Sequence, residues 1–96
     1  MADFQEIFLG EILAIAHDEC TISSAFNMKE DKTDLFKDAI EKVINNHLNQ
    51  KRFCKSALMA DALFACNAQS ILEVFVVGQM VGIAFVQLAE EGIIDK

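Results

Sequence analysis

Apolar residues recur along this chain at spacings of three and four, the signature of α-helices. Four helical stretches can be drawn on that pattern, over 3–20, 33–49, 51–66 and 69–91. In the first, Phe4, Phe8, Ile12 and Ile15 share one stripe, while Leu9, Leu13, Ala16 and Cys20 share a second beside it. A face of that width meets more than one neighbour. Asp3, with Glu6 three residues on, has the reciprocal capping-box arrangement that opens a helix. Gly10 inside this helix costs up to ~1 kcal/mol relative to Ala, which suggests a close helix contact there.

Residues 21–33 lose the period and read as a connection, the expected place for a mobile loop. Thr33 then caps the second helix, and Asp34 sits in the first turn, where the helix dipole favours an acid. Its buried stripe is Phe36, Ile40, Val43, Ile44 and Leu48; its wet stripe is Asp38, Glu41, Lys42, Asn45 and Asn49. The third helix offers Phe53, Ala57, Leu58, Leu63 and Phe64 as core positions. Asn67 breaks it, because Asn tolerates the left-handed backbone of a helix terminus. Gly92 followed by Ile93 reads as a Schellman stop for the fourth helix, with Ile93 meeting Leu88.

The fourth helix is the hydrophobic centre of the chain. Ile71 to Ala89 is nearly long and apolar enough to cross a bilayer, and Gly78-Gln79-Met80-Val81-Gly82 is a GxxxG match, a helix-dimer motif in lipid. At about 100° per residue, Gln69, Glu73, Gln79, Gln87, Glu90 and Glu91 gather on one stripe. Gly78, Gly82 and Ala89 lie nearly opposite, flanked by Ile71, Phe75 and Phe85. Lipid would not face that polar stripe without a reason. The pattern favours a soluble core helix with one wet edge, whose glycines let a neighbouring backbone come close. A single membrane span over 71–89 is the alternative.

Composition agrees with helices and adds one fact. There is no proline and only four glycines in 96 residues, too few turn residues for a sheet protein. Hydrophobic residues make up 53% of the chain, more than a small sphere can hide, so association with a second subunit or partner is expected. The seam expected for it comprises Gly78, Gly82, Phe75 and Phe85, with Phe4 and Phe8 from the first helix.

Fifteen acids against eight bases give a net charge of −7, which argues against a phosphate-neutralising nucleic-acid surface. The charge is uneven: residues 1–28 carry −5, residues 29–55 carry +2 and residues 56–96 carry −4. Lys51-Arg52-Phe53-Cys54-Lys55 is a basic cluster with an aromatic in it, read as a solvated helix start.

Cys20, Cys54 and Cys66, an odd set without paired spacing, read as reduced thiols of a cytoplasmic protein. Those thiols with His17 and His47 match no zinc spacing, and no catalytic couple, phosphate loop or cofactor motif is recognisable. The chain therefore reads as one all-α domain of about four helices over 1–96, binding a protein partner and forming a homodimer. Adaptor, inhibitor or regulator are the roles that suit it, of the small kind carried by phages and mobile elements. An acidic decoy for a basic groove is a minor variant, and a helical pocket for an apolar ligand a further alternative.

Overall fold

A computed structural model describes residues 9–17, 30–51 and 54–94. The helical residues 9–17 are here α1; α2 is Glu30–Asn49, α3 is Lys55–Cys66 and α4 is Ile71–Glu90. No strand occurs among the described residues, and the helices form a small all-α bundle. The Cα radius of gyration is 12.5 Å, the value expected of a compactly folded chain of this length.

The core draws on all four helices. Leu9, Ile12, Leu13 and Ala16 of α1 are buried, whereas Ile15, expected on the first stripe, is exposed. Phe4, Phe8 and Cys20 lie outside the described residues. Phe36, Ile40 and Ile44 of α2 are buried as their spacing predicts, with Val43 and Leu48 partly buried beside them. His47 joins them, and a polar side chain was not anticipated there.

α2 starts at Glu30, one turn before the predicted cap. Thr33 is consequently inside the helix and buried, which corrects its assignment as the N-cap. The first turn, Glu30-Asp31-Lys32, is wholly polar, so hydrophobic periodicity could not register it. At the other end Lys51 takes a positive φ of 55°, and its N–H donates to the Leu48 carbonyl. α3 therefore begins at Lys55, not at 51, after Cys54 in extended conformation. Of the basic cluster, Lys51 follows α2, Cys54 is the N-cap of α3 and the exposed Lys55 its first residue; Arg52 and Phe53 lie outside the described residues.

In α3 the buried positions are Leu58, Ala62 and Cys66. Ala57 and Phe64, expected in the core, are exposed, Phe64 at 90%. The segment is apolar around most of its circumference, so no single face was marked as inward. Asn67 ends α3 in the left-handed conformation, φ 52° and ψ 47°, as anticipated. The following Ala68 N–H reaches the Leu63 carbonyl at 3.2 Å, completing a Schellman-type stop.

α4 opens on a reciprocal cap that periodicity did not reveal. The Glu73 N–H donates to Ser70 Oγ at 3.1 Å, and the Gln69 N–H donates to Glu73 Oε1 at 3.1 Å. This is the Ser-x-x-Glu logic, with the carboxylate reaching one residue further back than the usual box. At its end Gly92 has φ +75° and the Ile93 N–H donates to the Leu88 carbonyl at 3.0 Å, the predicted stop. Ile93 is partly buried and Ile94 buried, so the chain folds back onto the core.

Candidate functional site

The helix with the most apolar sequence turns only one side inward. Val76, Val77, Met80, Val81, Ala84 and Leu88 are buried against the rest of the bundle. At about 100° per residue these positions centre on one direction, and the opposite direction is not polar. It carries Ile71, Phe75, Gly78, Gly82, Val86 and Ala89. Ile71 is 91% exposed, Val74 44%, Phe75 47% and Val86 48%.

The polar stripe identified from sequence lies along the margin of the core, not at the outer pole. Glu73 near its start is held by Lys32 of α2 in an ion pair. The Lys32 ammonium, helped by the Gln69 N–H, keeps the Glu73 carboxyl below the usual carboxylate range. Gln79 is partly buried, and its Oε1 has no hydrogen-bond partner among the described residues. The expected wet edge is therefore partly enclosed, and the expected interior face looks outward.

The glycines follow from this rotation. A Cβ at Gly82 would meet no described atom within 4 Å, and one at Gly78 would meet only Met59 Sδ, at 4.0 Å. Among the described residues no neighbouring backbone comes within 4 Å of a Cβ built at either glycine. A Cβ at Gly10 in α1 likewise meets no described atom within 4 Å.

Beside Gly82 runs an open groove of about 430 Å³, floored by Gly82 and Val86 and edged by Lys55, Gln79, Gln87 and Glu90. Lys55 Nζ lies 5.7 Å from the centre of the Phe85 ring, where a cation is attracted to the aromatic face. Phe85 is partly buried at one margin, while Phe75 on the same outer side is half exposed. Of the predicted seam, the structure places Gly78, Gly82 and Phe75 on this outer face and Phe85 at its border.

The other residues weighed for chemistry are dispersed. His17 Nε2 lies 3.3 Å from Asp34 Oδ1, and His47 Nε2 lies 2.7 Å from Asp61 Oδ2, so each histidine meets an aspartate of the next helix. Among the described residues no three His, Cys, Asp or Glu side chains gather as metal ligands would. Cys54 is exposed; the Ser56 hydroxyl, 3.2 Å from its Sγ, and the amides of Ala57 and Ser56 lower its thiol pKa. Cys66 is buried, and desolvation raises its thiol to about 11.

No protein-family model, curated protein or solved structure matches the chain.

Proposed function

We propose that this protein is a protein–protein interaction module that self-associates, with the outward face of α4 as its contact surface. The observation that carries this reading is the exposure of Ile71, Phe75 and Val86 along one unbroken side of a helix that also builds the core. Large aliphatic and aromatic side chains aligned over about 20 Å of helix form a patch, not scattered exposure. Covering them removes apolar surface from water at about 25 cal/mol per Å². An adaptor, inhibitor or regulator would use such a surface in place of a catalytic pocket.

Phe75→Glu tests it. The side chain is half exposed, so the fold should survive with an unchanged far-UV spectrum, while a charge in the seam should weaken self-association at least tenfold in sedimentation. A variant that associates like the wild type would contradict the assignment.

A second reading has an observation of its own. α4 spans 20 residues with mean hydropathy 2.0, and a third of its most apolar stretch is buried, so length and composition would let it cross a bilayer. The cost lies in its neighbours. α2 and α3 pack against it, and spanning in this arrangement would carry Lys55, Asp61 and the Lys32–Glu73 pair toward hydrocarbon. We therefore favour the protein contact. Recovery in the pellet after alkaline extraction of membranes would reverse that preference.

A further inference from the structure

The outer face of α4 repeats itself in reverse about Met80. Val74-Phe75 and Gly78 on one side are mirrored by Gly82 and Phe85-Val86 on the other, each pair equally far from position 80. Ile71 and Ala89 extend the same spacing with a large and a small residue. The mirrored residues lie on one side of the helix, outside the inward set Val76, Val77, Met80, Val81, Ala84 and Leu88.

An end-to-end symmetric face has a specific consequence. When two copies of one helix pack antiparallel about a two-fold axis, position i of one lies opposite a position equally far beyond the axis in the other. With the axis at Met80, Gly78 faces Gly82 of the second copy, so the crossing point lacks side chains and the backbones can approach. Phe75 then faces Phe85, Val74 faces Val86, and Ile71 fills the space beside Ala89. A shift of one helical turn would put a Phe over a Gly and hold the helices apart. The sequence thus specifies one register.

Shape alone admits a parallel pair as well, since each glycine could then meet its own copy. Charge separates the two. Glu90, exposed at the C-terminal end of α4, lines the groove beside Gly82 and Val86. In a parallel pair the two Glu90 carboxylates would share one end of the seam beside two helix C-termini, whose dipoles also disfavour negative charge. In an antiparallel pair each Glu90 lies near the N-terminal end of the other α4, where the dipole is positive.

Resting on the self-association proposed above, we infer that the occupant of this face is a second copy of the chain, its α4 antiparallel and crossing at Gly78 and Gly82. Photo-crosslinking tests orientation separately from association. Phe75 is replaced by p-benzoylphenylalanine, an aromatic exchange at a half-exposed site. Protein labelled with ¹⁵N is mixed with unlabelled protein, irradiated and digested, and mixed-isotope peptides report contacts between copies. The expected attachment is within 83–89 of the second copy. Attachment within 71–78 would establish the parallel arrangement and overturn the inference. A dimer by light scattering whose crosslinks avoid α4 would overturn it while leaving self-association intact. A monomer by scattering with no crosslink would overturn both.

Discussion

At the scale of single residues, the two described thiols illustrate how place decides chemistry. Cys54 precedes the first turn of α3, where a hydroxyl and backbone amides stabilise a thiolate; Cys66 points into the core, where its Sγ lies 3.8 Å from the Phe36 carbonyl and charge is disfavoured. Because the folded Cys66 thiol is raised to about 11, its protonated state is fully compatible with folding at neutral pH. Above the thiol pKa of the unfolded chain, unfolding gains by ionising this group, so stability falls as pH rises toward 11. Denaturant titrations at pH 7 and pH 10 should show an alkaline loss on the order of 1 kcal/mol that Cys66→Ala does not share. Equal alkaline losses in both proteins would remove Cys66 as the cause. Iodoacetamide should meanwhile modify Cys54 well before Cys66. Neither environment was legible from the sequence, since a lone Cys carries no marker of its surroundings.

At the scale of elements, legibility tracked amphipathicity. α2 has alternating wet and apolar sides, and its inward residues Phe36, Ile40 and Ile44 were evident from spacing alone. α3 has Ala57, Leu58, Ala62, Leu63 and Phe64 on several sides, so its spacing did not choose between Leu58, which is buried, and Phe64, which is not. The ends of α3 and α4 were legible because Asn67 and Gly92 act through backbone conformation, a local property. The start of α2 was hidden because its first turn holds no apolar residue.

α4 was the instructive case for the candidate site. Its seam residues were identifiable, but its rotation was not, because both broad faces are apolar. The spacing assigns the outside to a narrow polar stripe, yet Glu73 is drawn toward Lys32 and Gln79 is partly enclosed. Gly82→Ala follows directly. The new methyl meets no described atom within 4 Å and raises helix propensity, so a variant kept monomeric by Phe75→Glu should gain up to ~1 kcal/mol in chemical denaturation. In the otherwise unchanged protein the same methyl enters the crossing point and should raise the dimer dissociation constant. A stabilised monomer with unaltered association would show that Gly82 lies outside the seam.

At the scale of the whole molecule, two long-range properties oppose each other. A net charge of −7 per chain repels a second copy, and that repulsion is screened within about 8 Å at physiological salt. The apolar side of α4 attracts a second copy and is largely indifferent to salt. The exposed Ile71, Phe75 and Val86 give attraction a continuous surface, whereas the acids are spread along the chain, with the Glu90 carboxylates at the end of the seam. Attraction should therefore prevail, and the antiparallel arrangement limits its electrostatic cost by keeping those acids apart.

Light scattering over a dilution series at physiological salt measures that balance. With a chain mass of 10.7 kDa, self-association through α4 requires a mass near twice that value at tens of micromolar, falling toward the single-chain mass on dilution. A mass of one chain at every concentration would contradict it.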